Sequence, residues 1–242
     1  MVDLDRRVDP EVAAAGGLWG PELAAWANQR FEGSPAAEIL AWAHQQFGKR
    51  LLVTSSMADT VMIHLIELVA PGNDVVFLDT GYHFVETIGT RDAVAQTYKI
   101  NLINVTAELS VEQQDAQYGK NLFARDPDAC CGMRKVAPLS RALEGYDAWA
   151  TGLRRADSPS RADTPVVSWD ARRGKIKIAP VADWTDEQVA DYIDDNQLIT
   201  NPLLEDGYPS IGCAPCTKPA DPDDPRAGRW AGLGKTECGI HL

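Results

Sequence analysis

Five cysteines carry most of the chemistry legible in this sequence. Cys130 and Cys131 are adjacent, Cys213 and Cys216 form a C-x-x-C, and Cys238 stands alone near the end of the 242 residues. An odd number of thiols and no secretion signal argue against a disulfide framework. The C-x-x-C alone suits a redox dithiol, half a zinc site or a pair of iron–sulfur ligands. With the adjacent pair, four thiolates become available, which suits either zinc or a 4Fe–4S cluster. Adjacency favours the cluster. Consecutive residues strain the backbone when they chelate one ion, whereas a cluster offers each thiolate its own iron. Cys238 sits in Lys235-Thr236-Glu237-Cys238-Gly239-Ile240-His241-Leu242, and Gly232, Gly234 and Gly239 make this segment easy to bend. Lys235 and His241 favour a thiolate there, and the thiolate is the nucleophilic form. Without context, Cys238 reads as a spare thiol or as a nucleophile.

The second set of candidates is basic: Arg134 and Lys135, Arg154 and Arg155, Arg226 and Arg229. Lys and Arg number 23 against 35 Asp and Glu, a net charge of −12, which excludes broad binding to a phosphate backbone. No nucleic-acid partner is expected. A few cations that converge locally can still hold a small anion, although each pair taken alone reads as solvated surface charge.

These residues need a scaffold. Hydrophobic residues at 45% and charged residues at 24% are ordinary globular values. No run approaches a membrane span, VMIHLIELVA being broken by His64 and Glu67. The N-terminus lacks the form of a signal peptide, so a cytoplasmic protein is expected. Residues 1–48 read as helical, with Trp19, Leu23 and Trp26 and then Ile39, Trp42 and Ala43 at helical spacing. Leu51–Thr54, Val75–Leu78 and Asn101–Val105 read as strands, separated by helices over Ala58–Ala70 and Phe84–Tyr98. Strand–helix alternation predicts an α/β fold with a parallel sheet covered on both faces. Ala148–Thr151 reads as another strand, and Val166–Trp169 with Lys175–Ile178 as a hairpin. Thr185-Asp186-Glu187-Gln188 is a capping box opening a helix to about Asn196. Residues 49–217 form the α/β unit, and 218–242, rich in Pro and Gly, a mobile tail.

Several motifs resemble one family. CCGMRK at Cys130–Lys135, TGLRRADSPSR at Thr151–Arg161, GYPSIGCAPC at Gly207–Cys216 and ECGIH at Glu237–His241 are similar to those of the assimilatory sulfonucleotide reductases, especially the thioredoxin-dependent adenylyl-sulfate (APS) reductases. TSSMADTV at Thr54–Val61 and LDTG at Leu78–Gly81 also fit. The resemblance runs from about residue 50 to the end. It implies an adenine-nucleotide α-hydrolase-like fold. It also implies a 4Fe–4S cluster on Cys130, Cys131, Cys213 and Cys216, because relatives that reduce 3′-phosphoadenylyl sulfate (PAPS) lack those cysteines. Cys238 would then attack the sulfur of APS, releasing AMP and leaving an S-sulfocysteine that reduced thioredoxin cleaves to sulfite.

The remaining site residues follow from the same picture. Ser55 and Ser56 end a strand before a helix, where backbone N–H groups and a positive helix end face an anion. The ordinary alternative is an N-cap. The Gly-Gly of related ATP pyrophosphatase loops is missing, so that activity is not expected. Thr80 and Gly81 would border the adenosine, and Lys135, Arg154, Arg155, Arg226 and Arg229 would hold the phosphosulfate. His241 is a further candidate substrate contact. The other readings are a PAPS reductase, an ATP-dependent sulfurtransferase and a non-enzymatic zinc module.

Overall fold

A computed structural model describes residues 17–221 and 223–241. The helical reading of residues 1–16 lies outside the described residues, as does Leu242. Helices α1 (Gly20–Phe31) and α2 (Ala36–Phe47) carry the aromatic spacing of the N-terminal segment. Proline in the first turn of α1 loses no hydrogen bond, since that N–H has no partner within a helix. Strand β1 (Leu51–Thr54), helix α3 (Val61–Val69), β2 (Asp74–Asp79), α4 (Val85–Thr97) and β3 (Asn101–Thr106) then follow in the expected order. Helix α3 starts later than Ala58 because the Asp59 carboxylate accepts the Val61 N–H at 3.0 Å and the Asp59 backbone bridges to Thr200.

Between β3 and β4 (Ala148–Thr151) the chain makes α5 (Val111–Tyr118), α6 (Leu122–Arg125), α7 (Pro127–Cys131), a π-helical turn (Gly132–Val136) and α8 (Ala137–Ala142). These pieces are too short for hydrophobic periodicity to announce them. Strands β5 (Val167–Asp170) and β6 (Lys175–Ile178) form the expected hairpin. Helix α9 (Asp186–Asn196) opens on the predicted capping box, Thr185 and Gln188 each accepting the other's N–H.

The six strands form one sheet in the order β3-β2-β1-β4-β6-β5, parallel except for the antiparallel edge strand β5. Side-chain alternation sends Leu51, Val53, Val75, Phe77, Ala148 and Ala150 to the face covered by α1–α3. It sends Leu52, Val76 and Trp149 to the other face, against Leu139 and Leu143. Burial on both faces is why these strands read as continuous apolar runs. The chain leaves β1 toward β2 on one side and returns to β4 on the other. That reversal opens a crevice beyond the carboxyl ends of β1 and β4, where α/β folds bind ligands.

Among the described residues of 218–241 there is neither helix nor strand, as expected for loop. They are docked on the body in this structure: Lys218 N–H bonds to Gly228 O at 2.9 Å, Trp230 N–H bonds to Cys216 O at 3.0 Å, and Trp230 is buried. No helix among the described residues is long and apolar enough to cross a membrane.

Candidate active site

A cavity of ≈ 540 Å³ occupies the crevice. Ser55 and Ser56 enter it from the end of β1, Thr151 and Arg154 from the end of β4, and Arg226, Arg229, Cys238 and His241 from the C-terminal segment. The cavity therefore gathers most of the residues expected at a substrate site.

The β1 corner differs from the expected anion cradle. Ser55 accepts the Met57 N–H at 3.3 Å within its own loop. Thr60 occupies the N-cap position of α3, but its hydroxyl bonds to Ile199 O at 2.9 Å and to the Tyr98 hydroxyl at 2.7 Å instead of to the helix. Neither serine caps the helix. Asp59 also lines the cavity, and burial pushes its carboxyl above the ordinary range. Sequence reading passed over Asp59, though its place in TSSMADTV, just before an apolar run, is an N-terminal helix signal.

Four of the expected cations reach the cavity. Arg229 is held by Ser210 Oγ at 3.2 Å and Ile211 O at 3.4 Å, while its Nε has no partner. Burial lowers the Arg229 guanidinium, and the thiols of Cys238, Cys213, Cys216 and Cys131 act against that fall. A side chain at Gly212 would collide with the Arg229 guanidinium, so the glycine of GYPSIGCAPC makes room for it. Arg154 pairs with Asp157 and Asp186, each at 2.8 Å, and leaves its Nη1 unpartnered. Arg226 donates to Thr236 O at 2.6 Å and to Glu237 at 3.2 Å. Burial alone would lower the Lys135 ammonium, but Cys213, Cys238 and Cys131 raise it above its ordinary value.

Arg155 does not line the cavity. Its guanidinium makes a fork with Glu32 at 2.7 and 2.9 Å and donates to Thr164 O at 2.8 Å. The neighbouring arginines of TGLRR separate because Arg155 lies in a 3-10 turn that faces α1.

Thr80 and Gly81 also lie elsewhere, against the cysteines. Thr80 Oγ1 is 3.3 Å from Cys213 Sγ, and Ala214 N–H bonds to Tyr82 O at 2.7 Å. Buried Arg134 bonds to Thr80 O, Leu109 O and Gln114 Oε1, and lies 5.2 Å from the centre of the Tyr82 ring. A Cβ at Gly81, whose φ is +71°, would stand 3.0 Å from Arg134 Nη2, so glycine serves both the turn and the close approach. LDTG thus ties β2 to the C-x-x-C loop. Arg134 is a structural tie that its neighbour Lys135 obscures in the sequence.

Cys130, Cys131, Cys213 and Cys216 line one small pocket with Tyr82, Phe123, Pro127, Arg134, Lys135 and Trp230. Lys135 borders both this pocket and the large cavity. Asp126 caps α7 by accepting the Ala129 N–H at 2.9 Å, and the π-helical turn follows directly after Cys131. Such turns re-aim side chains within a helix and recur at functional sites. Burial and the neighbouring thiols push Cys130 up to about 11, and burial pushes Cys131 up to about 12. Cys130 and Cys131 therefore stay neutral unless a positive centre compensates them. Among the described residues, no three His, Cys, Asp or Glu side chains are grouped as a metal ion would require. The donor set nonetheless fits a thiolate-bound cluster: four sulfurs from two segments, two cations, and aromatic walls.

The C-terminal segment lines one side of the cavity. The His241 ring stacks on Trp149, centroids 5.8 Å apart and planes 5° apart, and the His241 carbonyl accepts from Lys177 at 3.3 Å. Burial, with Lys177 and Arg161 nearby, holds the His241 imidazole well below its ordinary value, so it is neutral, and its Nδ1 has no partner. Glu237 is gripped by Arg161 at 2.7 and 2.8 Å. Arg161 is the largest omission of the sequence reading. It ends the quoted TGLRRADSPSR motif, but an isolated arginine in a Ser/Pro loop gives no hint of its distant partner.

Residues 50–219 match the family model described as the phosphoadenosine phosphosulfate reductase domain. A Streptomyces coelicolor protein named adenosine 5′-phosphosulfate reductase is 57% identical over 220 residues, covering 90% of this chain and 93% of the relative. Relatives of the same name from Rhodococcus opacus and Mycobacterium tuberculosis are 53% and 50% identical, covering 97% and 91% of this chain and 98% and 94% of their own lengths. The crystal structure of a phosphoadenylyl-sulfate (PAPS) reductase from Candida auris, a phosphate complex, superposes with a TM-score of 0.70 at 30% identity, covering 81% of this chain and 97% of that one. FMN adenylyltransferase from Candida glabrata, bound to FMN and an ATP analogue, shares the fold alone: TM-score 0.55 at 12% identity, covering 86% and 71%. The fold is of the adenine-nucleotide α-hydrolase-like type, and the chain belongs to the phosphoadenosine phosphosulfate reductase family, as an oxidoreductase acting on sulfur groups.

Proposed function

We propose that this protein reduces APS to sulfite and AMP through an S-sulfocysteine on Cys238, with thioredoxin as the electron donor. The observation that carries the reading is that Cys238 lines the same cavity as Lys135, Arg154, Arg226 and Arg229, at the mouth of the switch-point crevice. The nucleotide lies along the ends of β1 and β4, and the phosphosulfate meets Lys135, Arg229 and the free Nη1 of Arg154. The Cys238 thiolate attacks the sulfur, the bond from sulfur to the bridging oxygen breaks, and AMP leaves with that oxygen. A dithiol then attacks the adduct. Sulfite departs, Cys238 recovers its thiol, and the two electrons come from oxidation of the dithiol to a disulfide. The other four cysteines are assigned elsewhere, so the dithiol is external. Neutral His241 contributes a polar ring atom to the cavity without adding charge.

Cys130, Cys131, Cys213 and Cys216 would hold a 4Fe–4S cluster. When bound, it supplies a fixed charge beside Lys135 rather than electrons for the reaction. Lys135, bordering both pockets, is the residue through which that charge would act on substrate. APS is preferred to PAPS because the four cysteines accompany that substrate class. A cytoplasmic location follows from the dependence on reduced thioredoxin.

Mass spectrometry of reduced enzyme mixed with APS alone tests the chemistry. One SO₃ group should appear on the peptide containing Cys238, AMP should be released in equal amount, and reduced thioredoxin should remove the adduct as sulfite. Sulfite formed only when both reactants are present, with no adduct and no AMP burst, would mean direct attack by thioredoxin. Higher kcat/KM with PAPS would overturn the substrate and leave the chemistry.

A further inference from the structure

We propose that Arg161 and Glu237 form the latch that seats Cys238 in the cavity, with Arg161 as a positioning residue. The inference rests on the nucleophilic role of Cys238 and adds how that thiol is held. Glu237 is the residue immediately before Cys238. Both its oxygens are taken by one guanidinium, Arg161 Nε to Oε1 at 2.7 Å and Nη2 to Oε2 at 2.8 Å, the planar fork that fixes direction as well as distance. The remaining nitrogen, Nη1, is anchored by Asp157 at 2.8 Å, so the fork cannot swing. Ser160 Oγ at 3.4 Å and Arg226 at 3.2 Å complete the ring around the carboxylate. Both partners are largely buried, their side chains 13% and 11% exposed.

The other anchor of this stretch is Lys235, which pairs with Asp128. Leu233 is exposed, Thr236 is held through its carbonyl by Arg226, and Cys238 itself is half-buried. The next apolar contact comes at Ile240, which packs against the second core cluster. The fork also solves an electrostatic problem. A bare carboxylate beside Cys238 would repel an anionic substrate, and Arg161 with Arg226 neutralises it. Glu237 thereby occupies two of the arginines near the cavity, which leaves Lys135, Arg229 and Arg154 to meet substrate. When a buried pair opens, both charges regain the solvation that burial had cost them, which offsets part of the lost attraction, so the latch can release the segment without exposing a large apolar surface.

Two readouts on the full-length protein test this. In the absence of substrate, the rate of Cys238 alkylation by iodoacetamide, followed on its own peptide, should rise about tenfold in Glu237→Gln and in Arg161→Ala, with Arg161→Lys between them and wild type, because lysine keeps the charge and loses the fork. In a single turnover with APS, AMP release should slow about tenfold or more in the same variants, while reduction of a preformed adduct by dithiothreitol should not slow. A structural lesion would instead slow both half-reactions alike, and that result overturns the latch, as do wild-type alkylation and AMP-release rates in both Glu237→Gln and Arg161→Ala. If wild-type enzyme releases no AMP without reductant, the nucleophilic role of Cys238 fails, and the alkylation rates still decide the latch.

Discussion

The N-terminal helices and the C-terminal segment pack on the same sheet by opposite means. Helices α1 and α2 bring Leu23, Ala27, Phe31, Leu40 and Ala43 to 1% exposure or less, and Trp26, Phe31 and Trp42 meet with ring centroids 5.0–6.3 Å apart. The segment 218–241 buries Trp230, sets Ile240 against the second core cluster, and holds on largely through polar contacts: Lys235 with Asp128, Glu237 with Arg161, Arg229 with Ser210 and Ile211 O, and the stack of His241 on Trp149. Apolar burial is lost in proportion to the area exposed, so α1 and α2 cannot lift without unfolding the domain. An ion pair that opens with both partners returning to water regains the solvation it had given up, which offsets part of the lost attraction. The molecule thus keeps its scaffold in apolar contacts and its nucleophile in polar ones, which fits a thiol that must meet first a small substrate and then a protein.

The widest separation between the two regions is tested at Cys238. Cys238→Ser should abolish sulfite formation while leaving the melting temperature and the brown colour of the proposed cluster unchanged. Cys131→Ser and Cys216→Ser should remove colour, acid-labile sulfide and activity together. Loss of the cluster in Cys238→Ser would break the division of the five cysteines. At the other pole, Phe31→Ala removes a fully buried ring and should cost about 3–5 kcal/mol in urea denaturation. Its kcat per folded molecule should be unchanged. A lower kcat would mean that the apolar region and the site are coupled.

The scaffold was legible because its signals are local. The strands are apolar runs bounded by turns, and Thr185 with Gln188 forms a capping box three residues apart. The cysteines were legible by type and spacing. What sequence left hidden depends on partners far along the chain. Arg155 and Arg154 are neighbours, yet one turns to Glu32 and the other into the cavity. Thr80 and Gly81 sit at a strand end, where ligands are expected, but Arg134 and Cys213 take up that space. The Arg161 fork to Glu237 spans 76 residues. Of the short helices between β3 and β4, α5 opens on a capping box of Ser110 and Gln113 that sequence reading passed over, whereas those after it are set by Asp126, by the π-helical turn and by packing around the cysteines, not by any periodic face.

The arginines sharpen the comparison at smaller magnitude. Arg229→Ala removes a buried cation with an unpartnered Nε in the cavity, and kcat/KM for APS should fall about 10–100-fold. Arg155→Ala removes a pair whose Glu32 partner is exposed, so kcat/KM should change less than about twofold and stability by about 1 kcal/mol at most. Equal losses in steady-state kinetics would return Arg155 to the substrate site.

A pH-dependent effect confined to one window concerns Lys177, which joins the two regions. It stands on β6, its ammonium 5.4 Å from the centre of the Trp149 ring, and it donates to the His241 carbonyl at 3.3 Å. Burial pulls it down to about 8, Asp170 opposes that fall, and Arg173 and Arg161 add to it. The unfolded chain keeps the ordinary lysine value near 10.5, so between about pH 8 and 10.5 the unfolded state binds a proton that the folded state has released. Stability from this group therefore rises with pH across that window, and below about pH 8 its penalty is fully present. Discounted for partial exposure, the rise should be on the order of 1–2 kcal/mol. Lys177→Met should remove it, so that the gap in unfolding free energy between the two proteins narrows steadily from pH 8 to 10. Subtracting one curve from the other cancels the titration of every group the two proteins share. A gap that stays constant with pH would mean that Lys177 is charged in the folded protein throughout, and that the carbonyl of His241 is held by a full ammonium.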